Sequence, residues 1–417
     1  MMTKASEIKL KYLVNLQTEH AEDNNGYIGL ENVESWSGRK KTTNTPTAEG
    51  VALSCQKGDV LFGKLRPYLA KCYVAEEDAC CSTEFFVMRP EKVISKYLQY
   101  RILSPDFIDK VNMSTYGAKM PRASWTFVGN MKLRAPSIGE QQSIANYLDD
   151  RCGKIDDLIA EAKSSIEEYQ QLKQSVICEA VTKGLDKNVE MKDSGVDWID
   201  EIPFNWHIVK ITRILDKNHP YAIGDGDHGS IKTDQYRDSG IPFIRVQNLG
   251  WGTELNLENI VYISEDDNRQ IQNSTLHPND ILFAKTGATI GKTAIVPESM
   301  PIANTTSHVG KITIAEEHNP RYVFYVLSSQ VGYRQFWNIA IQKTTRPELS
   351  IEETKSIKII LPPDRETEDV IVRYLDEKVP ALESMISEKQ SLISDFEAYK
   401  KSLIYEVVTG KRKVVAS

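Results

Sequence analysis

Gly287-Ala288-Thr289-Ile290-Gly291-Lys292-Thr293 has the residue types of a phosphate-cradling loop. Such a loop needs four residues between its glycines and must open a helix. Here there are three, and Thr293-Ala294-Ile295-Val296-Pro297 reads as a strand stopped by proline. Asn218-His219-Pro220-Tyr221 imitates the Asn-Pro-Pro-Tyr motif of amino-methyltransferases, without its first proline and without a Gly-rich loop for S-adenosylmethionine. Pro105-Asp106 and Pro363-Asp364 have no acidic-x-Lys element at a nuclease-like distance. The seven histidines (20, 207, 219, 228, 277, 308 and 318) form no His-x-x-x-His or His-Glu pair, so nothing points to a general base. The six cysteines all precede residue 180 and include no C-x-x-C pair. They read as buried or incidental thiols rather than as a disulfide or zinc framework. The residue types therefore supply no catalytic centre.

What they do supply is hydrogen-bonding chemistry for nucleic acid. Arg245, Gln247 and Asn248 close an apolar run, and Arg pairs with guanine while Asn and Gln pair with adenine in the major groove. Lys343, Thr344 and Arg346 repeat the theme, as do Lys119 and Arg122. Arg39, Lys40 and Lys41 follow a turn, and Lys64, Arg66 and Tyr68 mix cations with an aromatic ring. Lys285, Thr286, Lys292 and His308 complete the set, with Lys292 as a point charge for phosphate. Each stretch alone is most simply a solvated loop. Their recurrence at matching places is what carries weight.

That recurrence runs through the chain. Gly58-Asp59-Val60-Leu61-Phe62-Gly63-Lys64 returns 221 positions later as Asn279-Asp280-Ile281-Leu282-Phe283-Ala284-Lys285. Tyr147-Leu148-Asp149 and Val181-Thr182 return 227 positions later as Tyr374-Leu375-Asp376 and Val408-Thr409. Each copy begins with short apolar runs punctuated by Gly, Pro and Asn, which predict strands at 60–62, 72–74, 85–88, 242–246, 280–283, 294–296 and 309–314. Each ends in a helical pattern, from about Gly139 to Thr182 and from about Glu366 to Thr409. Apolar residues there step by three or four: Ile155, Leu158, Ala162, Ile166, Tyr169, Leu172 and Val176 in the first, Leu382, Met385, Leu392, Phe396, Tyr399, Leu403 and Val407 in the second. These are coiled-coil-like stripes on helices about 60 Å long. Pairing with each other is the economical arrangement; two separate amphipathic helices on their own β-rich parts is the alternative.

The 417 residues suffice for two or three cored domains. No apolar run approaches the roughly 18 residues of a membrane span, and Met1-Met2-Thr3-Lys4-Ala5-Ser6-Glu7 lacks a signal-peptide apolar region, so a cytoplasmic location and no membrane partner are expected. Net charge is −7, which argues against a purely electrostatic nucleic-acid binder. Yet from Arg39 to Lys71 seven basic residues face two acidic ones, a local surface able to engage phosphate.

The chain resembles the DNA-specificity subunits of Type I restriction–modification systems over essentially its whole length. The resemblance is carried by Gly240-Ile241-Pro242-Phe243-Ile244-Arg245-Val246-Gln247-Asn248, Asp280-Ile281-Leu282-Phe283-Ala284-Lys285-Thr286-Gly287, Ser307-His308-Val309 and Leu361-Pro362-Pro363. Tyr27-Ile28-Gly29-Leu30-Glu31-Asn32-Val33, Gly58-Asp59-Val60-Leu61-Phe62, Glu140-Gln141-Gln142-Ser143-Ile144 and the lead-in Gly195-Val196-Asp197-Trp198-Ile199 continue it. It implies an α+β fold of two tandem globular β-rich target-recognition domains, residues 1–137 and 191–363. Two long antiparallel helices, in segments 138–190 and 364–417, separate them as a coiled-coil-like spacer. It implies a non-catalytic subunit that reads a bipartite, non-palindromic site in double-stranded DNA. It further implies docking to two copies of an adenine methyltransferase subunit, here through Gln141, Gln142, Tyr147, Glu366 and Tyr374, with restriction and translocase subunits in the larger complex. S-adenosylmethionine, ATP and magnesium would sit on the partners and none on this chain. Two departures stand out. Copy one lacks the Asp-Trp-Ile lead-in, and Glu140-Gln141-Gln142 stands against Glu366-Thr367-Glu368. A self-contained methyltransferase or nuclease and a protein-only adaptor are the competing readings.

Overall fold

The computed structural model describes residues 6–22, 26–41, 50–117, 119–226, 229–252, 254–341 and 347–414. The first copy runs through β1 (Ser6–Lys9), β2 (Val14–Gln17), β3 (Ala52–Cys55), β4 (Val60–Gly63), β5 (Cys72–Val74), β6 (Ala79–Ser82) and β7 (Phe85–Pro90). Helices α1 (Ser95–Ile102), α2 (Pro105–Met113) and α3 (Trp125–Val128) follow, then β8 (Lys132–Ala135) and the long helix α4 (Ile138–Lys183). A hairpin, β9 (Met191–Val196) and β10 (Ile199–Pro203), leads into the second copy. That copy comprises β11 (His207–Lys210), β12 (Ile223–Asp225), β13 (Ile241–Ile244), β14 (Val261–Ile263), α5 (Glu265–Gln270), β15 (Ile281–Ala284), β16 (Thr293–Ile295), β17 (Asn304–Thr305) and β18 (Val309–Ile312). It closes with α6 (Pro320–Ser328), α7 (Gln330–Ala340), α8 (Ile351–Thr354), β19 (Lys358–Leu361) and the long helix α9 (Arg365–Thr409).

Two compact units divide these elements, one of Met1–Ser165 with Glu388–Ser417 and the other of Ile166–Ser387. In the first, β2-β7-β4-β5 form an antiparallel sheet, with β3-β6 and β1-β8 as separate pairs. The repeated apolar motif is one of its two inner strands. Val60 and Phe62 face a core shared with Tyr97, Phe107 and the helices, while Leu61 faces a second core with Ile28, Val33 and Tyr73. A strand buried on both faces must be apolar at every position, which is why Val-Leu-Phe shows no alternation. The second unit does the same in the sheet β12-β18-β15-β16. Ile281 and Phe283 enter the helix-side core, and Leu282 and Ala284 the opposite one.

The acid of the motif is structural in both units. Asp59 accepts the Gln56 N–H at 2.8 Å and both prongs of Arg89 at 2.9 Å. Asp280 accepts the His277 N–H at 2.9 Å and the Thr313 hydroxyl at 2.5 Å, with the Lys311 ammonium 3.6 Å away. The residue before each acid, Gly58 or Asn279, has positive φ, the backbone state of a tight turn.

Both long helices are continuous over the expected ranges to within a residue, and they pack antiparallel. Lys400 bonds Asp156 at 2.6 Å in one unit, and Lys173 bonds Glu383 at 3.0 Å in the other. From Asp156 to Lys173 the chain advances 17 residues, and from Lys400 to Glu383 it retreats 17, so both pairs share one register. The expected stripe holds in part: Ile155, Ala162, Leu382, Leu403 and Val407 are buried. Leu158, Leu172, Met385, Leu392 and Tyr399 are exposed, whereas Ile159, Lys173, Ile177, Lys400 and Ile404 are buried. A lysine in the seam hides the true stripe, because its apolar stem packs while its ammonium finds a carboxylate.

The seam is anchored to each β-rich part by the same tyrosines. Tyr97 donates to the Arg134 carbonyl at 2.8 Å and Tyr100 to Asp149 at 2.7 Å. Tyr322 donates to the Ile360 carbonyl at 3.0 Å and Tyr325 to Asp376 at 2.7 Å. Burial pushes the Tyr97 hydroxyl up to about 12 and Tyr322 well above its ordinary value.

Candidate nucleic-acid interface

The first unit brings its basic stretches together. Past β4, the Lys64 carbonyl accepts from Ala123 at 2.8 Å, and the Arg66 N–H donates to the Pro121 carbonyl at 2.7 Å. The loop of Lys64, Arg66 and Tyr68 therefore lies along the segment of Lys119 and Arg122. The Trp36 N–H donates to the Ala70 carbonyl at 3.2 Å, which adds the turn of Arg39, Lys40 and Lys41. Arg66 sits at φ 50 and Ala70 at φ 46, left-handed corners that turn the loop outward.

Not every cation there is available. Arg122 holds Glu84 through both prongs, at 3.2 and 3.1 Å. Arg39 pairs with Asp156 at 3.0 Å. Lys64 is half-buried over the Phe86 ring. Lys41, Arg66, Tyr68 and Lys119 are exposed and Lys40 half-buried.

The second unit repeats the bracket. The Leu349 N–H donates to the Lys285 carbonyl at 2.9 Å and the Gly287 N–H to the Pro347 carbonyl at 3.0 Å. Pro347 is thus the counterpart of Pro121. Lys343, Thr344 and Arg346 lie outside the described residues. Gly287–Thr289 form a single 3-10 turn, and β16 follows as the strand read from sequence.

Three site assignments are corrected by burial. Asn248 is 1% exposed; its carbonyl oxygen accepts the Arg245 N–H at 2.9 Å and its amide donates to the Asn256 carbonyl at 2.9 Å. It closes a 3-10 turn and has no edge left for a base. Asn32 does the same for the Gly29 N–H at 2.7 Å. Lys285 is 4% exposed and ion-paired with Asp225, so it is no point charge for phosphate. Gln141 is 1% exposed, accepting the Ile94 N–H at 2.8 Å and donating to the Pro136 carbonyl at 2.9 Å, so it is a brace beneath α1 rather than a docking contact. Its counterpart is Glu368, which accepts the Asn319 N–H at 2.6 Å, so the helix starts align one residue differently from the sequence comparison.

The remaining candidates divide by exposure. Gln247 projects from the turn that Asn248 closes, and His308 is exposed. Lys292 is half-buried. Thr286 is buried with its hydroxyl 3.4 Å from His308 Nδ1. Arg245 donates to the Asn259 carbonyl at 2.7 Å and lies over the Tyr236 ring. Gln142, Glu366 and the half-buried Tyr147 and Tyr374 face solvent at the helix starts.

Lys285 and His308 border a cleft of about 650 Å³ with Asp225 and Glu348, two acids that sequence reasoning missed. Asp225 had one signal, its flanking glycines. A Cβ at Gly226 would meet the Thr305 carbonyl oxygen at 2.1 Å, so only glycine fits there.

The family model for the Type I restriction modification DNA specificity domain matches residues 221–389. The chain is similar to specificity subunits of Type I restriction–modification enzymes. It is 25% identical over 304 residues to the Type I restriction enzyme MjaVIII specificity subunit of Methanocaldococcus jannaschii, covering 72% of this chain and 66% of that one. It is 25% identical over 315 residues to the EcoBI specificity subunit of Escherichia coli, covering 74% and 64%. The match thus spans just under two thirds of these relatives' length. In fold it resembles a chain from a solved structure addressing complex assembly and conformational transition of the type I R-M system, with a TM-score of 0.73, 16% identity and 98% of both chains covered.

Proposed function

We propose that this chain is the non-catalytic subunit that gives a Type I restriction–modification enzyme its DNA sequence. Residues 1–137 and 191–363 would each read one half of a bipartite, non-palindromic target in double-stranded DNA. The helix segments 138–190 and 364–417 would set the gap and dock two methyltransferase subunits, with restriction subunits joining the larger complex. S-adenosylmethionine, ATP and magnesium would be held by those partners.

One observation carries the reading. The same asparagine, aspartate and tyrosine hydrogen bonds recur in both units, while the loops they present differ in sequence. A shared frame with unlike loops is how one fold meets two unlike half-sites. The exposed Leu158, Leu172, Met385, Leu392 and Tyr399 on the helix pair support a protein partner there. Incubation with duplex DNA, labelled S-adenosylmethionine and magnesium separates this from a self-contained enzyme. Methyl transfer is expected only after the methyltransferase subunit is added, and transfer or cleavage by the chain alone contradicts the proposal. Absence of DNA affinity with or without that subunit would favour a protein-only adaptor.

Within the second unit, Gln247→Ala is expected to relax one half-site alone, by ~1–3 kcal/mol of base discrimination. Asn248→Ala is expected instead to lower stability by about 1–3 kcal/mol, from the unpaired Arg245 N–H, and to weaken all sequences together. Binding-site selection and thermal melts on both variants check the distinction. A half-site-specific effect of Asn248→Ala would reverse it.

A further inference from the structure

The duplicated frame carries one tryptophan after the buried asparagine of each unit, and the two are not treated alike. In the first unit the turn after Asn32 carries Trp36, and the Lys401 ammonium of α9 lies 4.5 Å from the centre of its ring. In the second unit the tryptophan after Asn248 is Trp251. It lies beside Gly291, the counterpart of Ala70, where a Cβ would sit 3.6 Å from the indole. The helix position matching Lys401 is Gln174, 227 residues earlier. Where the first unit closes a cation onto its tryptophan, the second has a neutral amide and an open cleft of about 900 Å³.

That cleft follows α4 from Glu167 to Lys183, a span of about 24 Å. Trp198, Trp251 and Tyr333 wall it, Trp251 and Tyr333 meeting edge-on at 5.8 Å. Trp251 is 47% exposed and Tyr333 37%. Glu167, Glu179, Asp200 and Glu201 line it against the single ammonium of Lys183. An indole face with surrounding carboxylates attracts a cation and repels phosphate. The length along the helix suits a segment of chain rather than an ion.

We propose that this cleft is a docking groove for a partner-protein segment that presents an arginine or lysine to Trp251, supplying from outside the cation that Trp36 receives from Lys401. The proposal rests on the reading that the chain works in a complex with another protein, and it names the chemistry of one contact.

Cys178 lines the same cleft and is the one cysteine among the described residues that is not buried. Its alkylation by N-ethylmaleimide, followed by mass spectrometry on the full chain, therefore reports occupancy. Millimolar acetyl-Leu-Arg-Leu-Arg-Leu-amide is expected to slow the reaction about tenfold, the worth of a partly desolvated cation–π contact. The glutamine analogue, about tenfold weaker without that contact, is expected to slow it about twofold at most. Trp251→Ala should abolish the protection and Trp251→Phe retain most of it, with circular dichroism checking the fold of both. Equal protection by both peptides, protection by neither, or protection that survives Trp251→Ala overturns the proposal. Arginine amide protecting as well as the peptide overturns the segment assignment. A gel shift on the same preparation separates the two readings. Loss of DNA binding with protection intact sinks the specificity function alone, and DNA binding without protection sinks the groove alone.

Discussion

Asp280→Ala is expected to destabilise the second unit by about 3–5 kcal/mol, the usual cost of leaving a buried charge without its partner. Lys311, on β18, is fully buried, and among the described residues the Thr275 carbonyl at 2.8 Å and Asp280 at 3.6 Å offset its charge. Burial already holds its ammonium below the ordinary lysine range, and Asp280 works against that shift. Between the folded and unfolded values the unfolded chain binds the extra proton, so wild-type stability rises as pH climbs toward 10.5 and falls as pH drops through the folded value. Without Asp280 that dependence should extend to lower pH. The double variant Asp280→Ala, Lys311→Met should recover much of the loss, since it removes both charges together. Urea melts across pH check all three. Asp59→Ala should cost less, because its partner Arg89 reaches solvent. A double variant no more stable than Asp280→Ala would show that the acid acts through its turn bonds to His277 and Thr313 instead.

Lengthening both helices is expected to change the target rather than abolish it. Seven residues inserted after Ser165 in α4 and seven after Ser391 in α9 keep the register given by the Asp156–Lys400 and Lys173–Glu383 pairs. Seven residues are close to two turns, so the packed faces are preserved to within about 20°. They add about 10 Å, or roughly 3 base pairs of duplex. Selection of bound duplexes should return the same half-site bases with a gap about 3 base pairs longer, at reduced affinity because the added pairs also rotate one half-site about the axis. An unchanged gap would mean that the helices do not measure it.

The frame is largely legible in the sequence. The repeated Val-Leu-Phe and Ile-Leu-Phe motifs read as strands, and the three-and-four spacing places both long helices to within a residue. Side-chain roles were less legible, for a physical reason. Asn248, Lys285 and Gln141 have the residue types of a DNA or partner surface, and nothing local says that the backbone will fold over them. The repeat held the missing signal. Asn32 with Asn248, Asp59 with Asp280 and the tyrosine pairs recur because both units need the same internal hydrogen bonds, whereas residues that read different bases should differ. Glu31 against Gln247, adjoining Asn32 and Asn248, is such a difference, and both are exposed. Lysines in the helix seam were invisible for the same reason: Lys173 and Lys400 look like solvent positions until Glu383 and Asp156 face them.

The most direct measurement is in vitro selection of bound duplexes from a random library by the full chain with its methyltransferase subunit, before and after exchange of residues 191–363 for those of a relative. Two unlike half-sites separated by a fixed stretch of arbitrary sequence are expected, with only one half changing on exchange. A single contiguous site, a palindrome, or both halves changing together would contradict a duplicated reader on one paired-helix frame.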